Sequence, residues 1–329
     1  MRPCVYVTSG WGIHDRRWVA ALRELGFDPR IIRLGIDVTT PSELRMQVTH
    51  VSIGNTPVLA GPLNTVAVHL TGMSAPVIGL SWGFDLHTMA ERDWLAQLSG
   101  VIVDSTATTD IALQSGVDPE AITYLPWGVD LAVFTPEGPQ LDLQRLGIPE
   151  HARSVLSLRA HETLYRVGDI INGFAQVSHQ RDDVHLIVGH GGSLTDELRA
   201  QVVDLGLQDR VHFIGSIPES DLPALLRAVD VYISASEVDG TSVTLLQAMA
   251  CGTLVLASDT AGNRQWVHPT ETGYLFVTGD ANDLSCQLTA ALKSPLPACS
   301  ELEHNGRALV EDQADWNANI GRLGQALEA

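Results

Sequence analysis

VYISASEVDGTSVTLLQAMACGTLVLA, residues 231–257, is the stretch that decides the fold. Its two ends are short aliphatic and β-branched runs, Val231–Ser234 and Leu254–Ala257, each the length of a buried strand. Between them Val243, Leu246, Met249 and Ala250 recur at helical spacing. Thr241 or Ser242 stands where an N-cap belongs, and Gly252 where a left-handed residue closes a helix. Strand, helix Ser242–Cys251 and strand form one βαβ unit, and parallel strands of this kind need helices on both faces of their sheet.

The same alternation runs outward in both directions. Towards the N-terminus, strands are expected at Cys4–Thr8, Pro29–Arg33, Pro57–Ala60, Val77–Ser81, Val101–Asp104 and Ile122–Leu125. Helices are expected at Arg16–Leu25, Asn64–Leu70, Thr88–Leu98 and Thr106–Ser115. In the second half, strands at Ser154–Leu158, Val184–Val188, Val211–Ile214, Val231–Ser234, Leu254–Ala257 and Gly273–Val277 alternate with helices at Asp169–Val177, Ser193–Leu205, Glu219–Ala228, Ser242–Cys251, Arg264–Val267 and Asn282–Leu292. Helical pattern from Ser300 to Glu311 and from Asp315 to Leu327 closes the chain. The Pro- and Gly-rich PWGVDLAVFTPEGPQ, residues 126–140, reads as a connector. The pattern predicts an α/β chain of two doubly wound halves, with ligands beyond the carboxyl ends of the strands. We assign 1–135 to an N-terminal Rossmann-like domain, 136–150 to a linker, 151–312 to a C-terminal Rossmann-like domain and 313–329 to a closing helix.

Composition narrows the function. The 329 residues carry 20 Lys+Arg against 39 Asp+Glu, a net charge of −19. That excess disfavours nucleic acid, whose affinity comes from basic side chains, and strong docking on an anionic membrane. Of the basic residues 19 are arginine; the single lysine is Lys293. The four cysteines, Cys4, Cys251, Cys286 and Cys299, form no C-x-x-C pair, which suits buried thiols in a reducing, cytoplasmic setting. The N-terminus turns polar by Thr8, unlike a signal peptide, and no run nears the roughly 18 apolar residues of a spanning helix. No set of His, Cys and carboxylates has metal-ligand spacing, so no metal is expected.

The chemistry starts at Asp239-Gly-Thr-Ser242. A Gly-Thr-Ser turn opening a helix at Val243 presents backbone N–H groups at its positive end, a seat for phosphate. Taken alone, ordinary capping is the favoured account of it.

The longer stretch Asp239–Asp280 resembles the core of the family-4 glycosyltransferases with the GT-B fold. It carries an acidic residue and, eight later, Gln247, then an A-M-A-x-G helix end, a strand ending A-S-D, a Gly-containing loop and E-T-G-x-L. The resemblance extends to Ile122–Phe134, to Asp104-Ser-Thr-Ala-Thr, to Val188-Gly-His-Gly-Gly, to Val211–Pro218 and to Asp315-Trp-Asn-Ala-Asn, nearly the whole chain. It implies two Rossmann-like domains facing across a cleft, the last helix crossing back to the first domain. It also implies metal-independent, retaining transfer of a hexosyl group from a UDP- or GDP-sugar to a sugar or small-molecule acceptor, with no cofactor beyond that co-substrate. The chain would act as a monomer or homodimer.

Carried over residue by residue, the resemblance makes Arg159 a cation for the leaving diphosphate, with a surface salt bridge as its plain alternative. The family's lysine falls at Tyr165-Arg166, so Arg166 would carry that charge or Tyr165 would hydrogen-bond a phosphate oxygen. Asp239, in place of a glutamate, would meet donor-sugar hydroxyls, and Gln247, in place of a second, the ribose. Gly12, His190, Gly191, Ile217, Gly240, Thr241, Ser242 and Val243 complete the donor side. His14, Trp82, Asp85 and His87 would lie on the acceptor side, with Trp82 where many relatives have a histidine; the plain reading of His14 and His87 is a solvated or capping residue. Trp11 and Trp18 read as core. The competing readings are a GT-B phosphorylase or epimerase, and a protein that holds a nucleotide sugar without turnover.

Overall fold

The computed structural model describes residues 1–293 and 301–328, which divide into two units: Met1–Trp127 with the chain from Trp316 onward, and Gly128–Asp315. The passage between units therefore falls at Trp127/Gly128 and Asp315/Trp316.

In the first unit β1 (Arg2–Thr8), β2 (Phe27–Arg33), β3 (Val58–Ala60), β4 (Val77–Leu80), β5 (Gly100–Val103) and β6 (Ile122–Tyr124) form a parallel sheet in the order β2-β1-β3-β4-β5-β6. Helices α1 (Ile13–Glu24), α2 (Pro41–Val51), α3 (Phe84–Thr88) and α4 (Thr106–Gln114) connect them. In the second unit β7 (Arg153–Ser157), β8 (Val184–Gly189), β9 (Val211–Gly215), β10 (Val231–Ser234), β11 (Leu254–Ser258) and β12 (Tyr274–Phe276) are ordered β12-β11-β10-β7-β8-β9, again parallel. Its helices are α5 (Val167–Ser178), α6 (Thr195–Asp204), α7 (Leu222–Ala228), α8 (Val243–Ala250), α9 (Ala261–Arg264), α10 (Ala281–Leu292) and α11 (Glu301–Gln313). Two short helices, α12 (Trp316–Asn319) and α13 (Gly321–Glu328), return to the first unit, where Arg322 donates to the Tyr124 carbonyl and Gly324 packs on Leu25.

The central strands are buried along their whole length, which is why they read as unbroken aliphatic runs. Successive residues face opposite layers. Val155, Leu186 and Val188 pack with Ile170 and Phe174 of α5 on one side of the second sheet. Leu156 and Ile187 pack with Leu245, Leu246 and Met249 of α8 on the other.

Five expectations are corrected. The helix predicted over Thr88–Leu98 is the short α3 followed by a 3-10 turn, Asp93–Gln97, because Gly83, at φ 68°, starts α3 upstream and the chain turns extended at Met89. Asn64–Leu70 is helical only as a 3-10 turn over Ala67–Leu70. Helix α2 was not expected, and the closing helix Asp315–Leu327 is broken in two. Cys4 and Cys251 are buried, but Cys286 is exposed, two residues from both Leu284 and Leu288 on α10 and so on the opposite face. Cys299 and the expected helix start at Ser300 lie outside the described residues.

Both strand orders contain a switch point, between β1 and β3 and between β7 and β10, where loops diverge at the carboxyl ends of neighbouring strands. Phe174→Ala should cost the second unit about 3–5 kcal/mol, read from urea denaturation, because its ring is fully buried between α5 and the sheet.

Candidate functional site

The switch point of the second unit brings the loop after β7 against the loop after β10. Arg159 Nη1 donates to Ser242 Oγ at 2.8 Å and Nη2 to Asp239 Oδ2 at 2.7 Å. Its guanidinium lies 4.3 Å above the Tyr165 ring, a cation–π contact. Burial disfavours its charge, but Asp239, Tyr232 and Tyr165 more than offset this and leave its pKa raised. Burial raises the neighbouring Tyr232 phenol to about 12, although the charge of Arg159 works the other way. The site thus holds a fixed, ionised cation beside a neutral phenol.

Ser242 occupies the N-cap of α8, but its hydroxyl accepts from Arg159 and makes no capping bond. Ser242 therefore gives the first N–H groups of α8, at the positive end of the helix, no capping bond. A second constraint holds the turn in place. A Cβ at Gly262, in α9, would lie 2.1 Å from the Asp239 carbonyl oxygen and 2.2 Å from that of Gly240, so the Asp239–Gly240 turn rests directly on a glycine. Asn263 anchors α9 by donating to the Ser258 carbonyl, and Ser258 Oγ donates to the Ser236 carbonyl at 2.6 Å.

The β8 loop forms the next wall. His190 takes a left-handed φ of 63°, and its N–H donates to the Gly215 carbonyl at 2.7 Å. Burial, then the charge of Arg159, lowers the His190 pKa, so it is neutral near pH 7. His161 stitches this wall to the β7 loop: its ring contacts Thr195 Oγ1 at 2.9 Å and the Gly189 carbonyl at 3.1 Å, and its N–H donates to Gly191. Glu162 accepts from the N–H of Ser193 at 2.8 Å and from its hydroxyl. Ile217 packs close to Gly189, while Val243 and Gln247 are half-buried on α8.

Arg166 is placed differently from the expectation. Its side chain pairs with Asp169 and Glu237, so two carboxylates already match its charge, and only Arg159 is held at the α8 N-terminus. Tyr165, the other residue at the lysine position, supplies the ring under Arg159.

In the first unit, the loop after β1 is fixed by Asp15, which accepts from the Gly12 N–H at 2.7 Å, the Thr8 hydroxyl at 2.6 Å and Tyr6 at 3.0 Å. His14 meets Trp127 edge-on at 4.6 Å and Trp82 at 6.1 Å between ring centroids. Burial, then Arg17, lowers the His14 pKa to about 4, against Asp15. Trp18 is core, as read, and joins Trp127 and Trp316 in the same aromatic cluster. Trp11, read as core, is instead 37% exposed. Asp85 is corrected too: fully buried, it accepts from the N–H groups of Leu63, Trp82 and Leu86 and from Ser81 Oγ. A carboxylate so engaged shapes the loop that carries Trp82 and does not itself face an acceptor. His87 is half-buried on α3.

The sequence reading did not single out Tyr232, His161, Glu162, Gly262 or Trp127. Among the described residues no group of three or more His, Cys, Asp or Glu is arranged to hold a metal ion, and no helix is long and apolar enough to cross a membrane.

Residues 140–309, just over half of the chain, match the family described as glycosyl transferases group 1. The chain is 32% identical over 171 residues to an alpha-monoglucosyldiacylglycerol synthase of Streptococcus pneumoniae, covering 50% of this chain and 38% of that one. It is 28% identical over 236 residues to a 2-deoxystreptamine glucosyltransferase of Streptomyces kanamyceticus, covering 69% and 60%. The chain thus spans less than two thirds of the length of these curated relatives. Among solved structures, Anabaena HepE in complex with UDP and glucose superposes with a TM-score of 0.80 at 16% identity, over 99% of both chains. Sucrose-phosphate synthase from Thermosynechococcus elongatus does so with a TM-score of 0.78 at 20% identity, over 99% and 98%. At these identities the superpositions establish the fold.

Gly262→Ala should cost about 1–3 kcal/mol in urea denaturation, since the new methyl group must displace the Asp239–Gly240 backbone. The His14 imidazole should titrate near pH 4 by NMR. Its depressed pKa makes stability full above about pH 6.5 and falling as pH drops towards 4, by roughly 3 kcal/mol in all. His14→Gln should flatten that dependence.

Proposed function

The chain belongs to the glycosyl transferases group 1 family, and from that premise we propose a retaining glycosyltransferase that moves a hexosyl group from a UDP- or GDP-sugar to a soluble acceptor. The single observation behind this is Arg159, an ionised guanidinium bonded to Ser242 and Asp239 at the uncapped start of α8. A nucleoside diphosphate leaving group develops negative charge as its bond to the sugar breaks. Fixed N–H dipoles from Gly240, Thr241, Ser242 and Val243, with Arg159, stabilise that charge more in the transition state than in the ground state.

Asp239 has one oxygen on Arg159 and would offer the other to donor-sugar hydroxyls. Gln247 would accept from the ribose, and backbone around Ile217 would meet the base. His190, neutral beside Arg159, would donate to a sugar hydroxyl without adding charge. In the transfer, the anomeric carbon–oxygen bond to the phosphate breaks, the acceptor hydroxyl bonds to that carbon from the same face, and its proton passes to the departing phosphate oxygen. This route needs neither a protein nucleophile nor a proton shuttle, which suits Trp82 in the acceptor-side loop, and Arg159 and the helix dipole take the place of a metal. One named relative acts on a lipid and another on an aminocyclitol; the net charge of −19 favours a soluble acceptor here.

A second reading, nucleotide-sugar binding without turnover, is favoured by Arg166, whose charge is already matched by Asp169 and Glu237. A thermal-shift screen over nucleoside diphosphates and their sugars, followed by assay of nucleoside diphosphate release, separates the two. Stabilisation by UDP or GDP and release that persists in EDTA are expected. Arg159→Ala should lower kcat by about 10²–10³-fold and abolish the stabilisation. Stabilisation without release over long incubation would sink the enzymatic reading.

A further inference from the structure

The first unit also carries a cavity, one of whose walls is Trp11, three residues before His14 in the loop after β1. Trp11, Arg30, Ile31, Arg33, Asp37 and Gln47 line about 470 Å³ beside edge strand β2, under the loop that follows β1. That volume suits a small ligand. In a chain with nearly two acidic residues for each basic one, the lining has two arginines and one aspartate. Arg33 and Asp37 neutralise each other through two bonds of 2.8 Å, with a third at 3.0 Å from the Arg33 N–H. Arg30 is exposed and its side chain has no ion pair or hydrogen bond among the described residues, so the cavity keeps one uncompensated positive charge. Arg33 uses two of its five donors on Asp37 and has three left.

The other walls are those of a saccharide site. Trp11 offers a rigid apolar ring at low entropic cost, and it is 37% exposed where Trp18, a few residues on, is buried. Gln47 completes the lining, and its carboxamide oxygen is itself buried without a hydrogen-bond partner.

We propose that this cavity recognises an anionic saccharide, a sugar ring bearing a carboxylate or a phosphate. The ring lies against Trp11, and the anion is held by Arg30 with the free donors of Arg33. Its role as the acceptor pocket rests on the reading of the chain as a glycosyltransferase; its binding chemistry does not.

The test is isothermal titration of the full chain, without nucleotide, with glucose, glucuronate, glucose 6-phosphate and inorganic phosphate. At least one of the two anionic sugars should bind tenfold or more tighter than glucose, and whichever is tighter identifies the anion as carboxylate or phosphate. Arg30→Ala, a surface change that should leave the fold and any UDP-dependent thermal shift intact, should erase that preference. Trp11→Ala should weaken both anionic sugars by a similar factor while leaving inorganic phosphate unaffected. Equal binding of glucose and the anionic sugars overturns the proposal. So does inorganic phosphate binding as tightly as glucose 6-phosphate with the same dependence on Arg30, which marks an adventitious anion only. A chain that binds an anionic sugar but shows no thermal shift with UDP or GDP keeps the pocket and loses the donor reading.

Discussion

A guanidinium buried between two loops must find its counter-charge within a few ångströms, because an unpaired ion in a protein interior costs several kcal/mol. Arg159 meets that demand with Asp239, and much of the second unit's candidate site follows. The bond to Ser242 takes the hydroxyl that would otherwise cap α8 and leaves its N–H dipoles open. Holding Asp239 in reach requires the Asp239–Gly240 turn to sit where it does, against the one residue in α9 without a side chain. The serine and asparagine bonds at Ser236, Ser258 and Asn263 then keep α9 from sliding. A single charge thus dictates a cap, a turn, a glycine and a polar lattice.

The strands were legible because parallel strands covered on both faces have no polar side to interrupt their aliphatic runs, as in Val184–Gly189 and Leu254–Ser258. Helices were less legible where their buried face is thin. Helix α2 buries only Leu44 and Val48, so hydrophobic spacing passed it over. Yet Thr40-Pro-Ser-Glu43 carries a capping box that the structure forms, with Thr40 Oγ1 accepting from Glu43 at 3.2 Å. At Thr88–Leu98 a run of good helix formers lost to a local constraint. Asp85 draws the Trp82 and Leu63 backbones towards itself and sets α3 earlier in the chain.

At the candidate site of the second unit, legibility tracked sequence distance. Asp239, Gly240 and Ser242 belong to one turn and could be read together with the helix they start. Arg159 was legible as a charge through the family resemblance. The partners of His161, which lie in the loop around Gly189–Thr195, and the contact of Gly262 with the Asp239–Gly240 turn exist only once strands are paired. Arg166 shows the same limit from the other side: its charge was evident, but the two carboxylates that match it were not.

The aromatic residues are distributed very unevenly. Six of the seven tryptophans, all but Trp266, belong to the first unit, and Trp18, Trp82, Trp127 and Trp316 meet edge-on in a chain of contacts. Coupled indoles held at fixed angles absorb and emit as a group rather than singly. Six of the seven indoles therefore report on the first unit, and the fully buried Trp266 alone is an indole reporter for the second.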